Sequence, residues 1–361
     1  MHCPTKRSRA GEHPTNPLAV PVSAPTRESH RRSIRRFREA TNALSAFLCA
    51  LDLGVFAVAL IAVVLARSEI AKVLASLVVA LQISRLFVLG HDACHQSLFT
   101  YKEVNRWIGR LLFLPSLTPF SAWEVGHNLG HHAYTNLHGK DYVWTPLSKD
   151  EFDALPPWRR ALERFYRSGF GFGAYYLIEL WWHKLFFVSR KHITTQRPAF
   201  FGDSLLVSAF AAIWVAGLAV AARFTHQSPA LIVTLGFVAP ILAWGCLMGA
   251  VIYLHHTHPR LVWYRDIDAW EAARDTSCNT VHVQIPHKFG LLLNNIMEHP
   301  AHHFDARIPL YNLEAANRAL RVPEQIVESL SLRSIVACVS RCKLYDYEKR
   351  CWTQFDGKAS S

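Results

Sequence analysis

Four apolar stretches set the limits on what this chain can become. Residues 43–66, 70–90, 203–224 and 230–254 are each long enough to cross a hydrocarbon layer of about 30 Å as a helix. They come as two pairs, the first joined through Arg67–Glu69 and the second through Arg223–Pro229. Hydrophobic residues make up 51% of the chain and the mean hydropathy is +0.10. The pattern predicts an all-α membrane protein with four transmembrane helices in two pairs. The 39 Lys and Arg against 27 Asp and Glu leave a net charge of +12. On a membrane protein such an excess sets topology and draws the chain to anionic headgroups. No soluble domain is left to carry that charge, so no nucleic-acid partner is expected.

Residues 1–40 are polar and hold Lys6, Arg7, Arg9, Arg27, Arg31, Arg32, Arg35, Arg36 and Arg38. They lack the apolar core of a signal peptide. The first part is expected to be disordered, with a basic helix at the membrane surface over Arg31–Ala40, and the charge places the N-terminus in the cytosol. Residues 41–355 form the membrane domain, and 356–361 are a tail. Two spans return the chain to the side it started from. The polar segments 91–202 and 255–355 therefore build one cytosolic helical cap, and both termini lie in the cytosol. Within the cap, 107–120 is too short to span and is broken by Pro115 and Pro119, which suits a re-entrant or interfacial segment. The aromatic-rich 171–188 suits an interfacial helix, and a helix-rich tail runs through Tyr345 to Trp352. Asp52, the one acid inside the first stretch, belongs at a packed helix interface. Eight scattered cysteines without a Cys-x-x-Cys pair predict reduced thiols rather than a disulfide framework.

The chain holds 20 histidines, and about half fall in four clusters. These are His91-Asp92-Ala93-Cys94-His95, His127-Asn128-Leu129-Gly130-His131-His132, His255-His256-Thr257-His258 and His299-Pro300-Ala301-His302-His303. On a helix, residues at i and i+4 share a face. One such pair is most often solvated. Four clusters arriving on one side of one membrane point to metal. Imidazole suits zinc, copper, iron and nickel, whereas an all-oxygen magnesium or calcium site is excluded by ligand type. Eight or nine imidazoles exceed the four ligands of one zinc and suit two metals sharing a site. Two irons with nitrogen ligands and open positions would bind and reduce dioxygen. A site at the membrane surface would draw its substrate from lipid. No Gly-rich nucleotide loop or nucleophile elbow is present.

The order HDACH, HNLGHH, HPAHH with paired spans between resembles the integral-membrane fatty acid desaturases, within them the bacterial Δ12-type acyl desaturases. Trp123–Asn136 (WEVGHNLGHHAYTN), 141–156, 253–259 (YLHHTHP) and 302–316 carry the likeness, which covers roughly residues 80–355. The resemblance implies two iron ions with dioxygen as co-substrate, and a bacterial inner membrane. It assigns the metal to His91 and His95, to His127, His131 and His132, to His256, and to His299, His302 and His303. Around them, Asp92, Glu298 and Asp305 are candidates to orient ligand rings, and His255 and His258 to flank the site. Pro300 fits the first turn of a helix starting near His299. The implied reaction introduces a cis double bond into a fatty acyl lipid, with electrons from a ferredoxin or small haem protein drawn to the basic face. Hydroxylation or acetylenation on the same scaffold is the nearest alternative. A histidine-rich metal transporter is one of another class, and it should place ionisable ligands inside the spans. An inactive relative would lack part of the histidine set, which here is whole.

Overall fold

The computed structural model describes residues 27–188, 190, 193–274, 279–320, 322 and 325–360. Among the described residues, four helices are long and apolar enough to cross a membrane: Asn42–Leu65, Glu69–Cys94, Ala199–Phe224 and Pro229–His256. They are the expected four, with one consequential difference in length. The second helix runs on to Cys94 and the fourth to His256. His91, His255 and His256 thus sit on the last turns of the second and fourth spanning helices rather than beyond them, and His95 caps the second. Start signals are local. Ser68 Oγ accepts from Ala71 N ahead of the second helix, and Ser228 Oγ accepts from Leu231 N ahead of the fourth, where Pro229 occupies the first helical position. A π-helical stretch at Thr234–Val238 interrupts the fourth.

Large apolar side chains, among them Phe47, Val58, Ile61, Ile70, Phe201 and Ile213, point outward and stay mostly exposed. An outer surface of this kind suits lipid rather than water. The second helix is the most enclosed of the four, with 61% of its apolar window buried. Asp52 lies at a helix interface as expected. It is 1% exposed and accepts from Arg85 Nε of the second helix at 2.8 Å, with Asn294 Nδ2 of the cap at 3.5 Å. The fourth helix approaches the cap at Gly249, where an added Cβ would lie 2.2 Å from the Phe172 carbonyl oxygen. Only glycine allows that approach, and it fixes the height at which His255 and His256 emerge.

The cap is helical, with two small sheets. The segment expected to be re-entrant or interfacial forms the end of an amphipathic helix, Lys102–Phe113, and the turn after it; Pro119 precedes the next helix, Phe120–Val125. Asp203, near the start of the third spanning helix, accepts from Arg110 Nε at 2.8 Å and from Ser121 N at 2.8 Å. One buried carboxylate thereby ties both cap helices to the membrane bundle. Residues 172–186 are a helix that becomes π-helical at Tyr176. Val281–Gln284 pairs in parallel with Ile326–Ser329. The tail corrects the helix-rich expectation. Its helix stops at Arg341, and Leu344–Asp346 pairs antiparallel with Cys351–Thr353, setting Tyr345 opposite Trp352. Short, aromatic strands of this kind are stabilised by that cross-strand pair. Residues 1–26 lie outside the described residues, and from Arg27 the chain is helical to Ile34, with a 3-10 turn over Arg35–Arg38.

Replacing Arg85 by alanine leaves the Asp52 carboxylate buried without its cation. It should destabilise the protein by about 3–5 kcal/mol, read from denaturant unfolding in detergent, and Asp52→Asn added to it should recover part of the loss.

Candidate metal centre

Each histidine cluster reaches the same place from a different element. His91 and His95 come from the last turn of the second spanning helix, and His256 from the last turn of the fourth. His299, His302 and His303 come from a short helix, His299–Phe304, with Pro300 in its first turn. The remaining set lies on a π-helical turn, Gly126–His132. In an α-helix the side chain at i+5 would point about 140° away from that at i, at about 100° per residue. The wider π turn places i+4 and i+5 on either side of i. His132 then stands beside His127, Nε2 to Nε2 at 3.1 Å, and His131 is sent to the other side.

Two groups result. His91, His95, His127, His132 and His302 gather within one ligand shell, and His131, His256 and His303 form a second. His299 joins the second through His256, the two Nε2 atoms lying 2.9 Å apart. In the first group Nε2–Nε2 distances are 2.8 Å for His91–His127, 3.3 Å for His91–His95 and 3.0 Å for His132–His302. All nine expected ligand residues are thus brought together.

Nitrogens packed this closely cannot all satisfy one another, because each Nε2 offers one N–H or one lone pair and the five of the first group run in a chain, His95–His91–His127–His132–His302. A neutral ring has one N–H, and buried acceptors facing each other are unfavourable without a cation among them. Two nitrogens at right angles about a metal, each at about 2.1 Å, would lie about 3 Å apart, the spacing seen. Burial, reinforced by neighbouring rings, holds His95, His127, His132, His299, His302 and His303 well below the ordinary histidine pKa. They are neutral, and their lone pairs are available to a metal. The donor set fits two metal ions of the kind imidazole prefers.

The surrounding residues divide differently from expectation. Asp92 Oδ1 is 3.7 Å from His91 Nδ1, too long for a hydrogen bond. Its other oxygen accepts from Leu310 N at 2.6 Å and docks the 305–312 segment on the second spanning helix. Glu298 takes Asn317 Nδ2 at 2.8 Å and His282 Nε2 at 3.1 Å, away from the cluster. Asp305 turns to Arg38. His255 is fully buried and stacks on His299 with ring centroids 4.2 Å apart, while His258 bonds Glu328 at 3.1 Å.

The residue that does orient a ligand is Asp141. Its Oδ1 accepts from His131 Nδ1 at 2.9 Å, and backbone amides of Val143 and Asn136 bind its two oxygens at 3.1 and 3.0 Å. This fixes the His131 tautomer with Nε2 toward the cluster. Thr135 links two members of the second group, donating to His131 O at 2.7 Å and lying 3.3 Å from His303 Nδ1. Trp123 stacks on His127 at 4.8 Å. Asp141 stands ten residues from His131 in a loop, so no helical spacing pointed to it. Against the histidine groups lies a narrow apolar cavity lined by Phe87, Val88, Leu180, Met248, Val251 and Ile296, with His91, His127, His131, His256 and His299 on one wall.

A family model described as fatty acid desaturase matches residues 68–328. The chain is 31% identical over 281 residues to a chloroplastic omega-6 fatty acid desaturase of Glycine max, covering 74% of this chain and 61% of that protein. It is 31% identical over 278 residues to an sn-1 oleoyl-lipid 12-desaturase of Picosynechococcus sp., covering 73% of each. A third relative, 29% identical over 247 residues, is an sn-1 acyl-lipid omega-3 desaturase (ferredoxin) of Synechocystis sp., with 65% of this chain and 63% of that protein covered. The match thus spans about three fifths of the Glycine max protein's length.

Asp141→Asn should lower metal affinity about 10- to 100-fold, measured as metal bound per chain against a competing chelator. For the metal-free protein, the depressed histidines bind protons in the unfolded chain before they do in the folded one. Stability should therefore fall as pH drops below about 6.5, seen as a lower melting temperature at pH 5 than at pH 7.5. Equal melting temperatures would contradict the burial of neutral rings.

Proposed function

The chain belongs to the fatty acid desaturase family, and from that premise we propose that it is a membrane acyl-lipid desaturase with a di-iron centre. The observation that carries the proposal is the convergence of nine imidazoles, eight buried and His132 half-buried, in two nitrogen-only groups on the wall of an apolar cavity. His91, His95, His127, His132 and His302 would hold one iron, and His131, His256, His299 and His303 the other. Iron so held supplies activation of dioxygen for attack on an unactivated C–H bond. The overall change is –CH2–CH2– + O2 + 2 electrons + 2 protons giving –CH=CH– + 2 H2O.

The protein's own part is positioning. The cavity walls exclude water and present one methylene to the histidine wall, which converts a chance encounter into a fixed approach. Asp141 keeps His131 in one tautomer, Trp123 holds the His127 plane, and the Asp92–Leu310 bond ties the third histidine segment to the second spanning helix. The names of the relatives support an oleoyl-type substrate and a new bond at the 12 position. The ferredoxin in one relative's name supports an external one-electron donor, ferredoxin or a small haem protein. The arginines of residues 27–38 lie on the histidine side of the bundle, which supports cytosolic placement of the termini and the metal centre in a bacterial inner membrane. Against a transporter, the ligands gather at helix ends, and the Asp52–Arg85 ion pair between the first two spans is engaged by the cap through Asn294 and the Leu291 carbonyl.

The test is acyl-chain analysis by gas chromatography and mass spectrometry after expression in a host without polyunsaturated lipids, with iron and a donor supplied. A diene absent from His131→Ala cells is the expected result. A hydroxylated or acetylenic product would move the reaction to the sister chemistry, and unchanged lipids would overturn the acyl-lipid reading.

A further inference from the structure

The basic arm at residues 27–38 precedes the family-matched region, which starts at residue 68, yet it is bonded to the segment that carries the third histidine set. Arg27 Nη2 donates to the backbone oxygen of His303 at 2.9 Å, and its guanidinium lies 4.8 Å over the Phe304 ring. His30 meets the same ring edge-on at 5.8 Å, and Ile34 is fully buried. Arg38 Nε pairs with the Asp305 carboxylate. Asn312 Nδ2 donates to Phe37 O at 3.0 Å, and Thr41 N donates to Tyr311 Oη at 2.7 Å.

These contacts fall where the local structure is weakest. The helix His299–Phe304 has six residues, too few to be stable alone. The carbonyl of His303, in its last turn, has no amide of the same helix to accept from. Arg27 supplies that donor, and Arg38 holds the acid two residues beyond His303. Between the arm and Trp270 a small recess leads to His132 and His303, with Arg27 on its wall. The arm therefore both braces a ligand-bearing helix and covers the approach from outside to the metal groups.

We propose that the arm is a latch that retains the metal of the second group, acting through Arg27 on the His303 carbonyl and Arg38 on Asp305; this rests on the metal reading above. Arg27 and Arg38 are positioning residues. They do not touch the metal. They hold His303 against thermal opening of its helix, so that iron leaves only when the latch releases.

The test uses the full-length, iron-loaded protein in detergent and follows iron transfer to a ferrous chelator. In Arg27→Ala and Arg38→Ala, one iron per chain should leave at least tenfold faster than in the wild type, with the other, which shares that helix only through His302 and keeps four histidines on other elements, accelerated much less. Asp305→Asn, altered from the cap side, should reproduce the effect, and Arg38→Lys should restore retention. Arg35→Ala, exposed on the arm, should retain iron as the wild type does. Wild-type rates in all the Arg27, Arg38 and Asp305 variants would overturn the latch while leaving the metal centre in place. Equal acceleration of both irons, or the same loss in Arg35→Ala, would also overturn it, because general loosening or net charge would then be the cause. A wild-type chain that takes up no iron would overturn the metal reading and the latch with it.

Discussion

Mutual incompatibility of buried lone pairs is the constraint on which this molecule turns. Nine imidazole rings lie in two groups, with Nε2 atoms as close as 2.8 Å, and burial keeps His95, His127, His132, His299, His302 and His303 neutral. Such an arrangement is unfavourable in an apolar interior unless cations occupy it. The rest of the fold serves to impose it. Two spanning helices deliver histidines on their last turns, the Gly249 contact sets the height of one of them, and Asp203 anchors the cap helices that bring the second set. The π turn at Gly126–His132 is the device that divides one run of sequence between the two histidine groups. An α-helix through the same residues would turn His132 well away from His127.

The same arrangement explains why the cavity lies where it does. The second and fourth spanning helices supply both apolar wall and ligand, Phe87 and Val88 leading to His91, Met248 and Val251 leading to His255 and His256. Continuity along one helix fixes the register between cavity wall and histidine rings. A substrate methylene would be placed by the same rigid elements that place the ligands, which is a more exact way to select a position than a flexible loop.

Much of this was legible in the sequence, because its strongest signals are periodic or compositional. Four apolar stretches gave the spans to within a few residues at most ends, and clustered histidines marked the rings that converge. Pro300 sits in a first helical turn as its chemistry requires. What escaped was set by tertiary context. Asp141 orients His131 from a loop, with no spacing to announce it, while Asp92, Glu298 and Asp305, adjacent in sequence to ligands, are engaged by Leu310, Asn317 and Arg38. The π turn has no composition of its own. The Tyr345–Trp352 pairing lay hidden in a short, charged tail that local propensity does not separate from helix. Arg27 to Arg38 carried only the generic meaning of positive charge until their partners at His303 and Asp305 were known.

The most direct test of the central claim is X-ray absorption at the iron edge on the purified protein, combined with metal content per chain. The account predicts two irons per chain, each with a first shell that includes imidazole nitrogen and no sulfur, since Cys94, though buried beside the first histidine pair, lies outside both groups. A single metal per chain, or sulfur in the first shell, would contradict it.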